Sequence, residues 1–312
     1  MMLQNRTPQT TDVLLTATAP AIWGSTYYVT TEFLPDGYPL TMAVLRALPA
    51  GLLLLLLVRQ LPGRDWIGRV ILLGALNFAV FWALLFVAAY RLPGGVAATL
   101  GAIQPLLVIV LARGFIGTPI RAAAVAAAAG GLVGVAMLTL GPDAALDGMG
   151  VVAALGGAAA MAAGTVLSRK WQPPTTALTF TSWQLTAGGL LLLPAALVLE
   201  PPLPTLDASA LGGIAYLCLI GAALTYVLWF RGLARLEPSA VSALAMMSPV
   251  TAVLLGWLAL GEGLTPVQIG GAAIVLAAVL GAQLAPPRTA ATPAPHPATA
   301  FGNQGFAPRN RA

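Results

Sequence analysis

Charge is what this sequence most conspicuously lacks. Charged residues make up 8% of the chain, against about a quarter in an ordinary soluble protein, so it has too few to cover a water-facing surface. Cys218 is the only cysteine and lies in an apolar run, which excludes a disulfide framework and a multi-cysteine metal site. One histidine, His296, is present, and no HExxH pair, phosphate-cradling glycine loop or pair of buried aspartates occurs. Metallohydrolase and ATP-driven chemistry therefore lack their residues, and neither catalytic nor metal-binding residues nor a cofactor is expected. No Asp or Glu falls in the middle of an apolar run, so a carboxylate carrying protons through the membrane centre is disfavoured.

What the sequence has instead is length of apolar run. Hydrophobic residues are 58% of the chain, and they recur in stretches of about 20 residues, enough to cross a hydrocarbon core of about 30 Å. The punctuation predicts spans near 13–34, 38–58, 67–90, 94–113, 119–140, 149–169, 176–199, 209–231, 238–260 and 266–284. The expected fold is an all-α integral membrane protein of ten helices. Residues 1–12 are expected as a cytoplasmic tail without a removable signal, and the Pro/Ala-rich 285–312 as a disordered cytoplasmic tail.

Positive charge gives the orientation, because Lys and Arg concentrate in cytoplasmic loops. Arg6, Arg59, Arg64, Arg69, Arg113, Arg121, Arg169, Lys170, Arg231, Arg235, Arg288, Arg309 and Arg311 all fall on one predicted side, and Arg91 alone on the other. Glu32, Asp36, Asp143, Asp147, Glu200, Asp207 and Glu262 collect opposite. Both termini are thus expected in the cytoplasm, with the protein in the inner (plasma) membrane. The net charge of +5 serves topology and implies no nucleic-acid partner.

The chain also repeats itself. The stretch from Arg91-Leu92 to Pro105 aligns without a gap on Arg235-Leu236 to Pro249, and Thr41, Arg46 and Gly51 align on Thr179, Gln184 and Gly189. The repeat is five helices long, 13–140 and 141–284. Five is odd, so the second copy enters the membrane in the opposite sense, as in alternating-access transporters.

Trp23-Gly24-Ser25, Arg46, Ser248-Pro249 and Gly261-Glu262 resemble the drug/metabolite transporter superfamily and its ten-helix EamA-type exporters over residues 13–284. Gly117-Thr118 departs from the Gly-Glu often found there in the first half. Within the superfamily the chain is most similar to the bacterial aromatic amino acid exporters of the YddG group. The resemblance implies export of small organic metabolites, foremost aromatic amino acids. Cationic drugs or other metabolites are the alternative cargo, and a non-transporting scaffold the alternative class.

Candidate substrate-binding residues are the polar and aromatic groups deep in the spans: Trp23 and Tyr27 on one stripe of the first, Asn77, Phe78 and Trp82 in the third, Gln104 beside the kink of the fourth, Tyr226 and Trp229 in the eighth, and Ser242 and Met246 in the ninth. Each has a duller reading. Tyrosines belong to membrane interfaces, Asn77 to an interhelical hydrogen bond, and Met246 to filler. Pro105 and Pro249 remove the helical donors of the Gly101 and Ala245 carbonyls, which leaves those oxygens either for substrate or for a structural kink. Arg46 suits a substrate carboxylate or an internal pair. Small-residue series such as Ala126, Gly130, Gly134 and Ala273, Ala277, Gly281 predict close helix contacts. The expected partners are a small molecule, most simply an amino acid, and the lipid bilayer; oligomeric state is open, and a monomer suffices.

Overall fold

In hydrocarbon every backbone N–H and C=O must be satisfied within the protein, and a helix does this within one segment. The computed structural model of the protein describes residues 6–92, 94–140, 147–261 and 263–284, and among them all regular structure is helical. Span one is Arg6–Phe33 and span two Pro39–Val58. Span three runs as Arg64–Gly74, a π-turn Ala75–Ala79 and Val80–Arg91. Span four is broken into Gly94–Gly101 and Gln104–Ile116, and span five is Ala122–Thr139. Spans six and seven are Gly148–Lys170 and Ala177–Leu199. Span eight again holds a π-turn, Leu219–Leu224, between Ala208–Cys218 and Thr225–Arg235. Span nine is broken into Pro238–Leu244 and Met247–Leu260, and span ten is Pro266–Leu284.

Nine of these rods, spans two to ten, are long and apolar enough to cross a membrane, so the chain is a multi-pass membrane protein. Span one is 28 residues long, but its threonines and its polar first turns dilute it. Two boundaries differ most from expectation. The region read as a tail is helical from Arg6, and span eight continues to Arg235. Across these two extensions Asp12 of span one pairs with Arg231 and Arg235 of span eight. Both tail ends beyond the described residues, including His296, and the loop around Asp143 and Glu262 lie outside the description.

The breaks in spans four and nine fall where the prolines predict. At the second, the Ser248 N–H donates to the Ala245 carbonyl at 3.1 Å, and Ala245 and Met246 donate to Ser242 and Ala243. The turn has tightened to i→i+3 bonds, so the expected free carbonyl of Ala245 is already bonded.

Apolar surface gains little from leaving lipid for protein, so helix association in a bilayer rests on close packing and polar crossings. Spans two and seven make the most extensive contact, followed by five and ten. Span one packs on eight and nine, and span six on three and four. Glycines mark the closest approaches. A Cβ on Gly51 would run into Thr186, and one on Gly189 would come within 2.7 Å of Leu48. The position rises on one helix as it falls on the other, so spans two and seven are antiparallel. Gly134 and Gly271 abut likewise, Gly134 against Val275 and Gly271 against Leu138. Gly130 and Gly281, expected at such contacts, face open space.

Caps finish the ends. Asp147 and Asp207 accept the N–H of Gly150 and Ala210 at the starts of spans six and eight, each at 2.7 Å. The Ala210 N–H, and after it the Ser209 hydroxyl, hold the Asp207 carboxyl below the usual carboxylate range. Glu200, at the end of span seven, accepts the N–H of Leu40 and Thr41 at 2.6 and 2.7 Å, so it caps span two from a neighbour.

Candidate functional site

Five of the ten candidate binding residues meet in one cluster between spans one, three and eight. The Trp23 ring lies 4.9 Å from Tyr226 and 5.1 Å from Trp229 between centroids. Phe78 lies 4.7 Å from Tyr226 and 5.4 Å from Trp82, and Phe230 extends the group at 6.1 Å from Tyr226. Phe78, Trp82, Tyr226 and Trp229 are buried. Edge-on and tilted rings at these separations contribute about 0.5–1.5 kcal/mol per pair beyond burial.

One cation borders the rings. The Arg46 guanidinium sits 5.4 Å from the Trp82 ring centroid and donates to the Gly221 carbonyl at 2.8 Å. That carbonyl belongs to the π-turn of span eight, where the extra residue shifts backbone oxygens out of the α register. It also accepts the Thr225 hydroxyl at 2.9 Å, and Thr225 accepts the Trp23 indole N–H at 2.9 Å. Trp23, Thr225, Gly221 and Arg46 therefore form one chain of donors and acceptors linking spans one, eight and two. The Trp229 indole N–H is buried without an acceptor among the described residues.

A second polar crossing joins spans six, three and seven. The Asn77 amide nitrogen, in the other π-turn, donates to Gln184 Oε1 at 2.8 Å and to Ser168 Oγ at 3.1 Å. Asn77, Ser168 and Gln184 are all fully or almost fully buried. Asn77 lies next to Phe78 in sequence, but its amide turns away from the rings.

The remaining candidates lie apart. Met246 packs with Val135, Leu244, Val250 and Val275, fitted against Gly131. Ser242 is buried and donates to the Ser239 carbonyl within its own helix. Gln104 opens the second half of span four, with its amide nitrogen buried and without a partner among the described residues. Of Tyr27 only the helical backbone is described. Pro105 and Pro249 sit at the N-terminal turns of the second segments of spans four and nine. A cleft of about 340 Å³ lined by Leu52, Leu55, Leu56, Arg59, Gln60 and Leu61 shares no residue with the rings.

Sequence reasoning pointed to Thr225 beside Tyr226 and Trp229 in span eight, but missed Ser168 and Gln184 as the partners of Asn77, and both π-turns. It also missed Asp12, whose carboxylate meets Arg231 at 2.6 Å and Arg235 at 3.2 Å. Asp12 stands directly before the first apolar run, where a polar residue marks a boundary and nothing more. At the same end of the bundle Arg121 pairs with Glu237 at 2.6 Å, and Arg169 donates to the Leu233 and Ala234 carbonyls.

The model of the EamA-like transporter family matches this chain twice, over residues 10–140 and 148–283. The chain belongs to that family. Protein PecM of Dickeya dadantii is 44% identical over 264 residues, covering 84% of this chain and 89% of its own length. The uncharacterized inner membrane transporter YedA of Escherichia coli K12 is 30% identical, with 87% of this chain and 92% of YedA covered. A probable terminal-alkyne amino-acid exporter of Streptantibioticus cattleyicolor is 26% identical over 72% of this chain and 75% of its own. A solved crystal structure superposes with a TM-score of 0.75 at 19% identity, covering 87% of this chain and 97% of that one, a likeness of fold. The chain is thus an EamA-family membrane transporter.

Proposed function

We propose that this EamA-family protein exports aromatic amino acids across the bacterial inner membrane by alternating access. In this reading it has ten spans, arranged as two five-helix halves in opposite senses, with both termini cytoplasmic.

Several observations support the inverted halves. The π-turns begin at Ala75 and Leu219, the same 144 residues apart as Arg91 and Arg235. Leu48 and Gly51 correspond to Thr186 and Gly189, and each glycine meets the counterpart of the other's partner. Such reciprocal contact is what a two-fold axis produces. The exchange of spans one for six, eight for three and two for seven converts the Arg46 crossing into the Asn77 crossing. Two halves so related can trade conformations around one central site.

The observation that carries the substrate class is the ring cluster with Arg46 at its border. The rings are packed on one another, so a substrate ring entering between them replaces ring contacts with contacts of the same kind, and the cost of opening is largely offset. An amino acid carboxylate has two donors at hand, the Arg46 guanidinium and the unpaired Trp229 N–H. No Asp or Glu falls in the middle of an apolar run, which disfavours a cationic drug. The relative named as an amino-acid exporter agrees with this class.

Counterflow in liposomes made only from this protein and lipid is the test. Vesicles preloaded with unlabelled L-phenylalanine should accumulate labelled L-phenylalanine transiently, and protein-free vesicles should not. Equal, slow entry into both would overturn the assignment.

A further inference from the structure

The basic end of the bundle carries more guanidinium than carboxylate. Arg169, Arg231 and Arg235 gather at the end of span eight. Among the described residues Asp12 is the acidic partner of Arg231 and Arg235, Arg169 donates to the Leu233 and Ala234 carbonyls, and Glu237 is engaged by Arg121 at 2.6 Å. Arg231 and Arg235 are one helical turn apart on span eight and both reach the same oxygen, Asp12 Oδ1, at 2.6 and 3.2 Å. The Asp12 side chain is 12% exposed. Arg231 Nη1 is buried with no acceptor among the described residues, so its five-donor fork is incompletely used. Span one is pressed onto span eight one turn away, where a Cβ on Gly232 would strike Thr16.

The opposite end has an equivalent contact of different strength. Arg91, the counterpart of Arg235, faces Asp147 at 3.7 Å with both side chains about half exposed. Exposed pairs of that kind contribute little. The tight, half-occupied guanidinium pair is therefore particular to the basic end.

We propose that Arg231 and Arg235 form a carboxylate-binding site at the basic, cytoplasmic mouth, in which Asp12 is the built-in occupant that holds span one against span eight. A carboxylate arriving from the cytoplasm competes with Asp12 for the two guanidiniums, and span one is released as the cargo is received. The site takes a carboxylate because a planar two-oxygen anion matches the guanidinium fork, and a cation is repelled. The cytoplasmic assignment and the carboxylate cargo rest on the function proposed above; the occupancy of the arginine pair by Asp12 does not.

Competition by acetate tests the site independently of any amino acid. Cys218, buried in the central cluster, reports opening through its rate of alkylation by a membrane-impermeant maleimide, applied to full-length protein in inside-out vesicles. Asp12→Ala should quicken alkylation by roughly tenfold, the equivalent of about 1.4 kcal/mol. In the parental protein acetate should quicken it likewise where chloride of equal ionic strength does not, and in Asp12→Ala, where no carboxylate is left to displace, acetate should add nothing. Should Asp12→Ala fold poorly, Arg235→Gln keeps the 2.6 Å pair and should alkylate at an intermediate rate. Alkylation of Asp12→Ala and Arg235→Gln at the parental rate, or acetate acting no differently from chloride on the parental protein, overturns the proposal. A failure of the amino-acid assignment would show in counterflow and leave the acetate response intact.

Discussion

Two crossings of three helices each, matched in position, are filled with different chemistry. Where spans one, eight and two meet, a guanidinium bonds a π-turn carbonyl beside five aromatic rings. Where spans six, three and seven meet, a neutral amide bonds a second amide and a hydroxyl out of reach of water. Gln184 stands where the first half has Arg46. In the function proposed above, the neutral crossing holds helices together and the charged one meets the ligand.

The largest separation between the two should come from removing their long side chains. Arg46→Leu takes a charge-assisted donor from the substrate site and should raise the half-saturation for L-phenylalanine by on the order of 10- to 100-fold, following about 1.5–3 kcal/mol for such a bond. Gln184→Leu should leave half-saturation within about threefold, since its effect lies in stability. If Gln184→Leu weakened transport as much as Arg46→Leu, the assignment of unlike roles would fail. Next come the rings: Trp82→Ala or Tyr226→Ala should weaken half-saturation by about tenfold, as about 1.4 kcal/mol implies, with expression near parental. Asn77→Leu strands the Gln184 and Ser168 groups and should lower unfolding stability in detergent by about 1–3 kcal/mol, with ligand affinity almost unchanged. The smallest effects belong to the caps. Span two is capped by Glu200 of a neighbouring helix and span seven by its own Thr176; Glu200→Ala and Thr176→Ala should each cost about 1 kcal/mol without altering transport.

Much of this comparison was legible in the residues. Apolar runs gave nearly every rod, because spanning length is a strong constraint, and the prolines marked the breaks in spans four and nine. The aromatic residues were recognisable individually. Which of them would meet was not, since that depends on the register between spans one and eight, set by contacts such as Gly232 on Thr16. The π-turns leave no mark in composition: Ala75–Ala79 and Leu219–Leu224 are ordinary apolar stretches. Met246 and Ser242 were drawn in by type, whereas the tightened turn at Ala245–Met246 aims Met246 at Gly131. Asp12 was hidden because its two partners lie more than 200 residues away in the chain.

The account rests most directly on the inversion of the two halves, and equivalent loops decide it. Residue 62 joins spans two and three, and residue 203 joins spans seven and eight, so inversion places them on opposite faces of the membrane. Pro62→Cys and Leu203→Cys, each made in a Cys218→Ala background, would be treated in intact cells with a membrane-impermeant maleimide. The account predicts labelling at 203 in intact cells and at 62 only after the membrane is opened. Equal labelling of both positions in intact cells would contradict it.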